Sequence, residues 1–159
     1  MNRYLLGLIV LIISYIILAY FVYKSNISII QSGIYEFDVD TLMKKQPIII
    51  HDKVVNIEHI LASWFSVCNF VRNTSINDNN WVLNNFKYMI AQPMEDTNII
   101  LKHPSKKMNE LLEIKISANQ ILIIPFNWSV FVNTSNIKTI GIHDIVTYIL
   151  NPGKNIYTD

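Results

Sequence analysis

The stretch Ile116-Ser-Ala-Asn-Gln-Ile-Leu-Ile-Ile-Pro-Phe-Asn-Trp-Ser-Val-Phe-Val132 decides the fold class. Two runs rich in β-branched and aromatic residues, 121–124 and 129–132, flank Pro125-Phe-Asn-Trp128. Proline has no N–H to give a sheet ladder, and asparagine tolerates a turn conformation. The residues therefore predict strand, turn, strand, a hairpin with Pro125 at its turn and Trp128 packed on a core. Just upstream, Leu112-Glu-Ile-Lys-Ile116 alternates strictly, with Glu113 and Lys115 facing out and Leu112, Ile114 and Ile116 facing in.

Working outward, Phe86-Lys-Tyr-Met-Ile-Ala91 and Asn98-Ile-Ile-Leu101 also read as strands. So does the triple Ile after Pro47 in Gln46-Pro-Ile-Ile-Ile-His-Asp52, a buried or edge strand beginning at the proline. Ile34-Tyr-Glu-Phe-Asp-Val39 alternates and is expected to be a strand as well. One helix is expected where Ile57, Ile60, Leu61, Trp64, Phe65, Cys68 and Val71 recur at three- and four-residue steps behind the cap residue Asn56. Residues 69–80, rich in Asn, Ser and Thr, read as a loop. Ile142, Ile145, Val146, Ile149 and Leu150 have helical spacing and stop at Asn151-Pro-Gly153, although a strand up to His143 fits equally well. Short strands at this spacing predict a mainly β sandwich or barrel with one or two helices.

Residues 4–22 are different in kind, because no charged side chain interrupts them. About 19 residues at 1.5 Å each cross roughly the 30 Å hydrocarbon layer, so a single membrane-spanning helix is expected. Its apolar surface and end rings comprise Tyr4, Leu5, Leu6, Ile9, Ile12, Ile13, Ile16, Ile17, Leu18, Tyr20, Phe21 and Val22. Aromatic residues fill the places where a signal peptase needs small ones, which argues against cleavage. Tyr4, Tyr20 and Tyr23 suit the headgroup level, and Arg3 and Lys24 can reach outward as anchors. Arg3 with the terminal amine opposes Lys24, Lys44 and Lys45, so charge leaves both orientations open. The expected organisation is an anchor at 1–24, a stalk at 25–33 and a β domain at 34–159.

The 159 residues carry a formal net charge of +1, with Lys and Arg scattered, which speaks against nucleic acid as a partner. A single cysteine rules out an intrachain disulfide, and Cys68 is expected to be a buried residue of its helix. Four Asn-x-Ser/Thr triplets, at Asn26, Asn73, Asn127 and Asn133, are what an Asn-rich chain acquires by composition; with the lone thiol they favour a domain facing the cytosol or a virion interior. His51-Asp52 reads as a surface turn, since no Gly-x-Ser-x-Gly elbow accompanies it. Residues 102–107, Lys-His-Pro-Ser-Lys-Lys, read as a solvated turn or, in the minority reading, as a contact for acidic headgroups or a partner.

The order of small-residue turn, apolar strand ending in Pro125, two turn residues, Trp128 and a returning strand resembles the late strands of cupin-like and jumonji-type proteins. The segments beginning at Gln46, Phe86 and Ile99 resemble that group's earlier strands, so the likeness runs from about Ile34 to Leu150. It implies a double-stranded β-helix, a small jelly-roll barrel. Catalytic relatives hold Fe(II) through a His-x-Asp/Glu pair and a distal His, with 2-oxoglutarate beside the metal. Here none of His51, His59, His103 and His143 is followed two residues later by Asp or Glu, and Val130 stands where the distal His is expected. No cofactor, metal or catalytic residue is therefore expected. Domains of this kind with such an Ile, Asn and Lys bias look like those of large DNA viruses. The resemblance thus implies a non-enzymatic, single-pass membrane protein of a virion, with the bilayer and other proteins, capsid subunits among them, as partners and the virion inner membrane as its place. The alternative is a membrane-tethered Fe(II)/2-oxoglutarate oxygenase with an unusual ligand set, which requires His51, His103 and His143 to converge.

Overall fold

An uninterrupted apolar strand must be covered on both faces, whereas an alternating one needs cover on only one. In the computed structural model, which describes residues 3–22, 27–65, 70–76, 78–105 and 111–150, these two kinds of strand go to different sheets. β2 (Ile48–Ile50), β5 (Tyr88–Pro93) and β8 (Ile121–Pro125) are buried at every position. They lie inside a six-stranded sheet, where β1 (Ile30–Ser32) adjoins β2, β8 and β5 follow, and β10 (Ile137–His143) and β3 (Phe70–Thr74) complete the order. β6 (Thr97–Lys102), β7 (Leu111–Ile116) and β9 (Ser129–Val132) alternate, and with β4 (Trp81–Leu83) they form a four-stranded sheet ordered β4-β9-β6-β7. Every pairing is antiparallel except β1 with β2. The expectation of a mainly β domain is met, and its strands divide into two sheets.

Two cores follow from this division. Between the sheets, Met89, Ala91, Leu122 and Ile124 meet Ile99, Leu101, Ile114, Ile116, Val130 and Val132 around Trp128. On the outer face of the large sheet, Ile48, Ile50, Ile90, Ile121, Ile123, Ile140 and Ile142 lie under Leu42, Val54, Ile57, Leu61 and Phe65. The Ile-rich strands thus sit in the middle of three layers.

The helix over that outer face, α2 (Ile57–Trp64), is capped as expected, Asn56 Oδ1 accepting from the His59 N–H at 3.2 Å. It is shorter than its periodicity suggests. Phe65 closes it with its N–H on the Leu61 carbonyl, and Val71, expected on the same helix, belongs to β3. Cys68 lies outside the described residues. The loop expected over 69–80 is corrected by the same strand: β3 pairs with β10, Val71 opposite Ile142 and Phe70 opposite His143. As an edge strand with exposed side chains it lacks the apolar run that marks a buried one.

Residues 34–39 are not a strand. The Glu36 N–H returns to the Gly33 carbonyl at 3.2 Å, Asp52 Oδ2 accepts from the Ile34 N–H at 2.7 Å, and Asp38 caps a 3-10 helix at Val39–Lys44. Local hydrogen bonds to Asp side chains outcompete a ladder here. The segment expected as stalk contributes β1, and Ile27 and Ile29 pack on the inter-sheet core.

The segment from Pro125 to Trp128 makes a corner rather than a hairpin. β8 ends at Pro125 in the large sheet, opposite Tyr88, and β9 begins after Trp128 in the small one. Asn127 takes the left-handed turn, φ 66°. Asn84 fastens the corner, its Nδ2 donating to the carbonyls of Ile124 (2.9 Å) and Pro125 (2.7 Å) and its backbone exchanging two bonds of 2.8 Å with Asn127 and Trp128. Across the same core, Gly141 of β10 lies directly beneath the Phe86 ring, where a Cβ would overlap three ring carbons.

Candidate functional site: the apolar helix and its junction with the β domain

α1 (Arg3–Ile16) runs on into a π-helical turn, Ile17–Phe21. The whole helix from Arg3 to Phe21 has 19 residues, is strongly apolar and is almost wholly unburied in the protein. It is long and apolar enough to cross a membrane. Tyr4, Leu5, Leu6, Ile9, Ile12, Ile13, Ile17, Leu18, Phe21 and Val22 are exposed, and Ile16 and Tyr20 are half-buried. A helix of a water-soluble domain would turn one apolar stripe to its core and a polar face outward, and this one does neither.

Its last turn is fastened to the domain from three directions. The Tyr20 hydroxyl donates to Asp144 Oδ2, at the loop between β10 and α3 (Ile145–Leu150). Lys45 Nζ donates to the Leu18 carbonyl at 2.9 Å and the Val22 carbonyl at 2.7 Å, satisfying oxygens that the helix end leaves without intrahelical donors. Lys45 itself has a left-handed backbone, φ 54°, at the end of the 3-10 helix. The Phe126 ring of the corner lies edge-on to both Tyr20 and Phe21, with centroids 5.9 Å apart in each case.

Asp144 is the hub of this junction. Lys87 Nζ pairs with its Oδ2 at 3.2 Å, and its Oδ1 accepts from the Thr147 N–H at 2.9 Å, capping α3. Burial pushes its carboxyl upward, but the Thr147 amide, the Tyr20 hydroxyl and Lys87 outweigh that, so it lies below the usual carboxylate range. Burial lowers the Lys45 ammonium and pushes the Tyr88 hydroxyl up to about 12. Both are the mark of a poorly hydrated place.

A groove of about 490 Å³ opens at the junction. Leu18, Ala19 and Val22 form its helix wall, Tyr88 and Phe126 its floor, and Lys44, Lys45 and Lys87 surround it. Beside it, α3 presents Ile145, Tyr148, Ile149 and Leu150 to the outside, and Tyr148 stacks on the equally exposed Phe70 of β3 at 5.4 Å. The helical spacing read at residues 142–150 therefore belongs to two elements: Ile142 is buried in β10, and the helix that follows turns its large apolar side chains outward.

The sequence-selected pair Pro125 and Trp128 is buried at the corner and serves the core. Among the described residues no three His, Cys, Asp or Glu side chains gather as metal ligands. His103 packs against Trp128, with centroids 4.9 Å apart, and His143 against Phe86 at 4.5 Å, while His51 is exposed. Lys45, Lys87, Phe126 and Asp144 escaped sequence reasoning. Tyr20 and Asp144 are 124 positions apart, and no local pattern links them. No family model, curated protein or solved structure matches the chain.

Proposed function

We propose that this chain is a single-pass membrane protein with a structural or interaction role, in which the helix from Arg3 to Phe21 spans the bilayer and holds the β domain against the membrane surface. The observation that carries the reading is the apolar helix from Arg3 to Phe21, exposed nearly all round. Water is a poor solvent for such a surface and hydrocarbon a good one. The clasp through Tyr20, Lys45 and Phe126 supports it further, since it sets the domain close to the end of the helix.

The partners in this reading are lipid and protein. The edge strand β3, with Phe70 and Val71 exposed, and the outward face of α3 are the surfaces on which a protein partner would dock. The two-sheet domain with its Pro125 to Trp128 corner is read as a cupin-like jelly roll without iron ligands. A virion membrane, with capsid subunits as partners, is the setting suggested by that resemblance. The oxygenase alternative requires His51, His103 and His143 to converge, whereas His51 is exposed, His103 packs on Trp128 and His143 on Phe86, and no metal-ligand cluster forms among the described residues.

The test is extraction of the full chain at alkaline pH. It should stay with the membrane pellet and leave only in detergent, and its intact mass should retain the N-terminal helix. Deletion of residues 1–24, which spares the core-packing Ile27 and Ile29, should release a folded soluble domain. Full-length chain in the alkaline supernatant, or a mass lacking the helix, would overturn the proposal, and a truncated chain that keeps its partners and place would mean the anchor is not the function.

A further inference from the structure

Three features meet at the groove beside the junction. Its helix wall is made by Leu18, Ala19 and Val22, the last turns of the apolar helix, so it lies where a bilayer's hydrocarbon would give way to headgroups. Its volume, about 490 Å³, falls within the roughly 300–1,000 Å³ of small-molecule clefts. Among the described residues that line it the charged side chains are the three ammonium groups of Lys44, Lys45 and Lys87; Asp144, which pairs with Lys87, is also engaged by Tyr20 and Thr147. An apolar wall and a cationic rim match one class of ligand, an anionic amphiphile. In a bilayer that is a phospholipid of net negative charge.

We propose that this groove binds one anionic phospholipid, its phosphate among Lys44, Lys45 and Lys87 and the start of an acyl chain along Leu18, Val22 and Phe126. This rests on the reading of α1 as a membrane span. Lys45 lines the same rim: its ammonium donates to the Leu18 and Val22 carbonyls at the helix end, where burial disfavours its charge and a neighbouring anion would favour it. Lys44, the neighbouring residue, is exposed and lines the groove as well. Phosphate held by lysine as a point charge needs no fixed fork geometry, so adjacent lysines on one turn suffice.

The full chain, purified in a non-ionic detergent, would be titrated with phosphatidylglycerol or phosphatidylcholine and followed by native mass spectrometry. One phosphatidylglycerol should be retained with at least about 5-fold preference, the worth of roughly one lysine at an anionic surface. Lys44→Gln should lower that preference about 5-fold with an unchanged melting curve, and Ala19→Phe, which fills the groove, should remove the adduct. Lys102→Gln, on an exposed position of β6 away from the groove, should change nothing. Equal retention of the two lipids, or a preference that survives both groove variants, overturns the proposal. So does displacement of the lipid by inorganic phosphate, which would assign the lysines to a free anion. Alkaline extraction of the same proteins separates the two failures: a chain that stays in the membrane yet shows no lipid preference refutes only the groove.

Discussion

Gly141→Ala is the sharpest test of the inter-sheet packing. The glycine lies in the middle of β10, and the added methyl would fall onto Cγ, Cδ1 and Cε1 of Phe86. Phe86 has little room to yield. Its N–H is held by Asn84 Oδ1 at 2.9 Å, Asn84 is itself tied to Ile124 and Pro125, and His143 packs on the ring. Overpacking of a filled core costs about 1–3 kcal/mol, and these restraints place the site at the upper end. Against this, alanine restricts the unfolded chain more than glycine, a gain of about 0.4–1 kcal/mol where the backbone is tolerant. The net expectation is a loss of about 2 kcal/mol, or roughly 6–10 °C in Tm for a domain of this size. Urea titration of the protein in detergent, followed by tryptophan fluorescence, measures it. The companion variant Phe86→Leu should relieve the clash, so the double variant should be more stable than the sum of the singles by at least about 1 kcal/mol. A Gly141→Ala protein within about 0.5 kcal/mol of the parent, or strictly additive singles, would refute the reasoning.

Other outcomes are expected from the same structure. Trp128 Nε1 is buried without a hydrogen-bond partner among the described residues, so Trp128→Phe should cost under about 1.5 kcal/mol while Trp128→Ala costs about 3–5, both read from urea midpoints. Burial lowers His103, and burial followed by the Arg72 charge lowers His143, which favours the neutral form of each; the unfolded chain then takes up protons first, and stability present above pH 6.5 should fall as the pH drops below it. His103→Gln should flatten that slope between pH 8 and 5. Asp144, held below its ordinary value, contributes stability above about pH 3.8 that is lost as the pH falls through its folded value. Asp144→Asn should therefore weaken the junction by about 1–2 kcal/mol and remove that acid limb, with proteolysis near residue 22 as the readout. Deletion of residues 1–24 should leave the cooperative unfolding of the β domain intact, as calorimetry of the soluble fragment would report.

What the sequence makes legible is governed by the range of the interaction. The alternation in β7 is a local consequence of one covered face, and Glu113 and Lys115 are exposed while Ile114 and Ile116 are buried, as read. The Ile runs of β2 and β8 announce strands, but not that a helix layer on one side and a sheet on the other bury them. Residues 34–39 alternate over six positions, too few to outweigh the hydrogen bonds offered by Asp38 and Asp52. β3 went unread because Val71 continues the spacing of the preceding helix, Arg72, Asn73 and Thr74 are polar, and its pairing with β10 is a contact between distant residues. The Pro125 to Trp128 corner has the composition of a hairpin turn; that β9 leaves for the other sheet depends on Asn84, forty residues upstream of Ile124. At the site, the helix was plain from its own residues, whereas the junction required Lys45, Phe126 and Asp144 to arrive from three separate parts of the chain.

The clasp has a mechanical consequence. Because Tyr20 and Lys45 bond the helix end directly to the domain, a helix that spans a bilayer as proposed would carry the domain with it when it turns. A 19-residue helix is about 28 Å long, and spans of this length accommodate thinner bilayers by tilting, about 20° being ordinary. Through those bonds such a tilt would pass to the β domain and swing β3 and α3 relative to the headgroups. In the proposed setting the thickness of the lipid sheet would thereby become an angle displayed above it, and a partner docking on those edges would meet a surface whose heading is set by the membrane.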